Sequence, residues 1–218
     1  MKKFIIVLLI GMVILCGCGQ QKDESFEHND AIIKKNDDGK DYVYFEDFNT
    51  YNLKNEDVIK QRLPIINGNT KDANNVNLEL KNKVNYNLKK AVYENDVVSR
   101  LNYSEYISYE SDDYFSLIDI DYQFYDGEKS LVNFRVYNFV KNKIELVDNQ
   151  VILDKYDMNE DKLFDKVLSN MNTNDPEYSL MMLKSDGYSL TVNNDNKLVI
   201  VYIEANDDDL QIKNMVIS

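Results

Sequence analysis

Cysteine, histidine, tryptophan, proline and glycine are all scarce in this chain of 218 residues. Both cysteines, Cys16 and Cys18, fall within the first eighteen positions, so residues 41–218 contain no thiol and cannot rely on disulfides or a cysteine nucleophile. The single histidine is His28, and its isolation excludes a Ser-His-Asp triad and an ordinary zinc or transition-metal site. The glycines after Gly19, namely Gly39, Gly68, Gly127 and Gly187, stand singly, so neither a phosphate loop nor a dinucleotide fingerprint can be assembled. No cofactor or metal is expected. Basic side chains are also short: 25 Lys and Arg face 38 Asp and Glu, a formal charge of -13. Nucleic-acid binding needs clustered Lys and Arg at the phosphates, and a flat seat on anionic lipid needs the same, so both are excluded. The long-range field instead favours cationic partners such as basic proteins, peptides or metal ions, besides keeping the surface soluble.

What is present begins with a leader. Lys2 and Lys3 precede an apolar run from Phe4 to Ile14, and Leu15-Cys16-Gly17-Cys18 follows. The run is shorter than the about 20 residues of a spanning helix and has the layout of a secretory signal. The segment resembles a bacterial lipoprotein signal, with Cys16 at the position usually held by Ala or Ser. The resemblance implies cleavage after Gly17, acylation such as palmitate on Cys18, and a location on the outer face of the cytoplasmic membrane. Loss of residues 1–17 removes Lys2 and Lys3, which leaves 23 basic against 38 acidic side chains and a charge of -15. Abundant Lys, Asn, Ile and Asp point to an AT-rich genome and hence a Gram-positive bacterium of low GC content. Residues 18–40 are polar and charged apart from Ala31, Ile32 and Ile33, and read as a flexible tether to a single domain over 41–218.

The periodicity of that domain predicts an α+β fold, an antiparallel sheet meander with a long N-terminal helix and a second shorter helix packed on one face. Tyr42–Phe48 reads as a strand, and Pro64 keeps Leu63–Ile66 extended before an Asn67-Gly68 turn. Val76, Leu80, Val84, Leu88, Ala91 and Val92 form a helical stripe, with Asn69 or Thr70 as cap and Asp72 in its first turn. From Tyr114 to Tyr125 the period is two: Ile118, Ile120, Tyr122 and Phe124 face a core, while Asp119, Asp121 and Gln123 face water. After Asp126-Gly127 a second strand sets Val132, Phe134, Val136 and Val140 on one side, and Ile144–Leu153 predicts a third. Leu163, Phe164, Val167, Leu168 and Met171 mark the shorter helix, with Asp157 and Glu160 as a capping pair. Tyr188–Val192 and Leu198–Ile203 predict a hairpin across Asn193–Asn196, and Leu210–Ile217 a last strand.

This order carries a second resemblance. A Pro-Ile-x-x-Gly entry at Pro64–Gly68 leads into NNVNLELKNKVN, then YFSLIDIDYQFY, VNFRVYNFVKNKIEL, EDKLFDKVL and YSLTVNNDNKLVIVYIEA. Together they resemble the extracytoplasmic module shared by PdaC-type peptidoglycan deacetylases and RsiV-type lysozyme-sensing anti-sigma factors, over about residues 42–218. With neither a deacetylase domain nor a cytoplasmic segment attached, the resemblance implies a binding domain and no reaction. Its partners would be peptidoglycan or a cationic protein such as lysozyme.

Asp119 and Asp121 lie about 7 Å apart along one strand face, within the about 6.5 to 9.5 Å spacing of inverting glycosidases. A solvated strand face carries alternating Asp just as readily. The candidate binding face is therefore Asp119, Asp121, Gln123, Tyr125 and Tyr137, non-catalytic; the alternatives are a carboxylate-based wall hydrolase and a small-solute receptor. The 16 tyrosines, Tyr103, Tyr106, Tyr109 and Tyr122 among them, offer rings for a glycan or a protein hot spot. Asn206–Asp209 reads as a polar turn in preference to a calcium loop.

Overall fold

The structure is a computed structural model that describes residues 41–52, 58–93, 100–125, 128–171, 180–181, 183–185, 187–206 and 209–217. Cys18, the leader and the tether lie outside these residues. The fold is α+β with antiparallel strands in three sheets where a single meander is predicted. A two-stranded sheet pairs β1 (Val43–Asn52) with β2 (Val58–Ile66). The helix α1 (Lys71–Tyr93) follows. A four-stranded sheet runs β3 (Arg100–Glu110), β4 (Tyr114–Tyr125), β5 (Glu128–Val140) and β6 (Glu145–Val147) in that order. Then come helices α2 (Asn149–Lys155) and α3 (Glu160–Asn170), and a three-stranded sheet of β7 (Tyr188–Val192), β8 (Leu198–Asn206) and β9 (Asp209–Ile217). No helix among the described residues is long and apolar enough to cross a membrane.

The 3.6-residue stripe explains α1. Ala73, Val76, Leu80 and Val84 are buried on one side, against Val43, Leu63 and Ile66 of the small sheet and Phe115, Leu117, Tyr137 and Phe139 of the large one. Thr70 Oγ1 accepts the Ala73 N–H (3.2 Å) and donates to the Ile144 carbonyl (2.7 Å). Asn77 fastens the helix to β2: its Oδ1 accepts the Ile66 N–H (2.7 Å) and its Nδ2 donates to the Ile66 carbonyl (2.9 Å). Ile144 lies in the left-handed region at φ 53°, strained for a β-branched residue, and its side chain fills the space over Gly68, where a Cβ would come within 2.7 Å of it.

The opposite face of β4 is also covered. Ile118 and Ile120 pack with Leu131 against Val199, Val201 and Ile212 of the three-stranded sheet. That sheet buries Leu190, Val192, Leu198, Ile200 and Tyr202 on its far side against Ile152, Leu153, Leu163, Phe164 and Val167 of α2 and α3. The layers therefore run α1 with the small hairpin, four-stranded sheet, three-stranded sheet, then α2 and α3. A buried polar chain crosses the sheet-sheet interface: Thr191 Oγ1 donates to Ser116 Oγ (2.6 Å), Ser116 Oγ to Asn138 Oδ1 (2.7 Å), and Asn138 Nδ2 to the Leu190 carbonyl (2.7 Å). At the corner, Asn194 Oδ1 accepts the Glu110 N–H and Asn196 Oδ1 the Asp112 N–H, each at 2.8 Å.

Three local expectations are corrected. The strand expected over Ile144–Leu153 is only Glu145–Val147, because the Asp148 side chain accepts the Val151 N–H and starts α2, whose Ile152 and Leu153 then face the core. The cap of α3 is Asn159, which accepts the Lys162 N–H (3.0 Å), in place of the pair Asp157 and Glu160; Asp157 adopts φ 55° before it. Val132 does not join Phe134 and Val136. Register breaks where Tyr122 pairs Leu131 and Asp121 pairs Asn133, so Val132 is the extra residue of a bulge and is 57% exposed, while Leu131 takes the inward place.

Candidate functional site

The structure brings Asp119, Asp121 and Tyr137 together, but under α1 and not on a water-facing sheet. Asp119 is 4% exposed and Tyr137 is 5% exposed. Direct cross-strand partners on this face are Tyr106, Asp119 and Arg135, and beside them Ser104, Asp121 and Asn133. Lys83 descends from α1 and places its ammonium between the two carboxylates, on Asp119 Oδ2 and on Asp121 Oδ1 (2.9 Å), where Ser104 Oγ also donates (2.7 Å). Arg135, nearer the edge, pairs with Glu79 of α1. The wet-face expectation fails because alternation marks a polar face, and a lysine-bearing helix can cover such a face. Gln123 is half-buried at the end of the same strand, and the Tyr125 side chain lies outside the described residues.

Burial dominates the electrostatics here. It pushes the Asp119 carboxyl up to about 6; the Lys83 ammonium opposes this and the Asp121 charge adds to it. Burial also raises the Tyr106 hydroxyl, with Asp119 adding, and raises the Tyr137 hydroxyl to about 12 with Arg135 opposing. Two buried atoms, Asp119 Oδ1 and the Tyr106 hydroxyl oxygen, lack a hydrogen-bond partner. The two aspartates thus bind one lysine between them, which is a structural use and leaves no opening for a glycan between acid and base.

An accessible concavity lies elsewhere among the described residues, where the ends of β5 and β7 meet α2 and α3. It is an open groove of about 460 Å³, floored by Val136, Val147 and Leu153 and walled by Asn138, Asp148, Asn149, Gln150, Glu160 and Tyr188. Among the described residues no Lys or Arg lines it. Local folding positions each wall residue. Asp148 caps α2, and Asn149 Oδ1 accepts the Leu190 N–H (3.0 Å). Gln150 Nε2 donates to Asp154 (2.7 Å), and the Tyr188 hydroxyl donates to Glu160 Oε1 (2.7 Å) while its ring meets Phe164 edge-on at 5.4 Å. Burial, then the bond to Glu160 and its charge, raise the Tyr188 hydroxyl. Asp148 Oδ2, Glu160 Oε2 and Gln150 Oε1 are not used by these bonds and present acceptors to a ligand. The sequence signal for the groove was weak: a β-rich reading of Ile144–Leu153 hid Asp148–Gln150, and Glu160 was spent on a cap.

Among the named tyrosines, Tyr103 and Tyr122 stack at 5.4 Å with the Lys129 ammonium 3.9 Å from the Tyr122 ring, which makes them an internally satisfied cluster. No group of three or more His, Cys, Asp or Glu able to hold a metal occurs among the described residues, and Asp207 and Asp208 lie outside them. In comparisons with known proteins, no family model matches the chain and no curated protein matches it.

Proposed function

We propose that the chain is a non-catalytic binding lipoprotein of the bacterial cell envelope, anchored through lipid on Cys18, that engages a cationic protein through the groove between β5, β7, α2 and α3. The observation that carries this reading is the lining: two carboxylates, three amides and a tyrosine stand over an aliphatic floor with no cation among them. Such a groove suits the stem and charged head of a Lys or Arg side chain, with Val136, Val147 and Leu153 taking the methylenes. The chain's charge of -13 would steer a basic partner toward it. The likeness to PdaC- and RsiV-type modules supports the same class and makes lysozyme the first partner to test, with peptidoglycan the second. A hydrolase is the less economical reading, since both carboxylates are exposed and each already holds a structural bond.

The test is capture of lysozyme and of purified peptidoglycan by the full chain at low and moderate salt. Asp148→Asn with Glu160→Gln keeps the cap of α2 and the acceptor for Tyr188, because Asn caps as well as Asp. The double variant is expected to fold normally and to weaken lysozyme capture about tenfold at low salt, less at high salt. Capture that ignores both the variant and the salt would sink the reading. Retention on peptidoglycan alone would assign the groove to a wall glycan, and release of soluble wall fragments would revive the hydrolase.

The anchor is tested separately. Cys18→Ser is expected to abolish incorporation of labelled palmitate and to move the protein from the membrane fraction to the medium. Unchanged labelling would overturn the assignment of Cys18.

A further inference from the structure

We propose that Asp119, together with Lys83 and Asp121, forms a proton-binding site at the interface between α1 and the four-stranded sheet, so that mild acid tightens the fold by protonating Asp119.

The argument begins with hydrogen bonding. Ionised Asp119 can only accept, and one of its two oxygens does so from Lys83; the other, Oδ1, is buried without a donor. No group donates to that buried oxygen, so its share of the negative charge is left uncompensated there, and a proton on Asp119 removes a charge that burial penalises.

The charges facing Asp119 from each packed element agree. From α1 comes Lys83, which keeps Asp121 as a second partner when Asp119 is neutral; Glu79 of the same helix is held by Arg135. From β3 come Tyr106 and Ser104, the latter already donating to Asp121. β4 itself contributes Asp121, a like charge that opposes ionisation. β5 contributes Arg135 and Tyr137, with Arg135 drawn outward to Glu79. The small hairpin adds Phe45, whose ring lies 6.3 Å from that of Tyr106, and Arg62, whose guanidinium lies over the Phe45 ring at 4.8 Å from its centroid. One cation is thus shared between two carboxylates, and the more deeply buried one is incompletely bonded.

The sign follows from burial. The folded carboxyl, raised to about 6, holds its proton more tightly than the unfolded one at 3.8. Stability contributed by this group therefore grows as pH falls through 6 and is complete below 3.8. Between pH 8 and pH 5 the folding equilibrium constant of the full chain should gain about tenfold more than that of Asp119→Asn, which cannot titrate.

The experiment pairs urea unfolding of the full chain and of Asp119→Asn across this range with carbon-detected NMR titration of the Asp119 carboxyl. The expected midpoint is about 6, falling by about half a pH unit in Asp121→Asn, where the like charge that opposes ionisation is gone. Parallel pH profiles for wild type and Asp119→Asn, or a midpoint below about 4.5, would overturn the site. If Asp119→Asn does not fold, the wild-type midpoint and its response to Asp121→Asn decide alone.

Discussion

Lys83→Met is expected to lower the stability of the full chain by about 3 kcal/mol at pH 8 and by far less at pH 5. Methionine keeps the length and apolar stem of lysine, so the packing of α1 is largely retained and the change isolates the charge. At pH 8 the variant leaves Asp119, 4% exposed, as a buried carboxylate with no cation, the circumstance in which breaking an ion pair is most costly. Asp121, more exposed and bonded by Ser104, suffers less. Without the opposing ammonium the folded Asp119 carboxyl must rise above its value of about 6, so it takes up a proton as the solution is acidified and the deficit closes. Urea denaturation at the two pH values measures both numbers. A loss that is equal at pH 8 and pH 5 would show that Lys83 acts through packing and not through its charge.

Phe139→Ala is expected to cost about 4 kcal/mol at any pH, and to lower the thermal midpoint by about 10 °C. Phe139 is fully buried, and its ring stacks on Phe115 with centroids 5.0 Å apart and planes within 3°; Phe115 in turn stacks on Tyr42 at 4.8 Å. This row of rings joins β5, β4 and the start of the small hairpin under α1, so a cavity there removes support from three elements together. Phe139→Leu, which refills most of the volume, should recover more than half of the loss. A loss below about 1 kcal/mol for the alanine variant would mean that the ring row is not part of the core.

The sequence made some of this legible for physical reasons that are specific to each element. The stripe Val76, Leu80 and Val84 could only be satisfied by a helix with one buried side, and Pro64 could only lie in an extended segment. The hairpin of β7 and β8 was marked by the polar turn Asn193–Asn196 between apolar runs, and β8 reads as continuously apolar because Val199 and Val201 face one layer while Leu198 and Ile200 face another. What stayed hidden depended on partners distant in sequence. Asp119 and Asp121 alternate with isoleucines as a solvated face would, and only the reach of Lys83 from a helix 36 residues away turns that face into an interface. Likewise Val147, Val151 and Ile152 are β-branched and resemble a strand, yet one side-chain bond from Asp148 to the Val151 N–H redirects the chain into α2. β3 carries no clear period in the sequence because Tyr103 to Tyr109 mixes rings with serines and a glutamate, and its register is supplied by β4. The groove was illegible for the same reason, since Asp148, Glu160 and Tyr188 become neighbours only after three elements have docked.

The two asparagines at the β7–β8 corner grip backbone 84 residues earlier in the chain, and Thr191 reaches Ser116 across 75. A chain made from its N-terminus therefore forms β3, β4 and β5 well before it possesses the strands that cover Ile118 and Ile120. Until β8 emerges, those isoleucines present an apolar sheet surface to whatever is nearby, and contacts of such high sequence separation close slowly. Completion of this core is consequently a late event in its synthesis, and the interval before it is when a chaperone has an exposed apolar surface to hold.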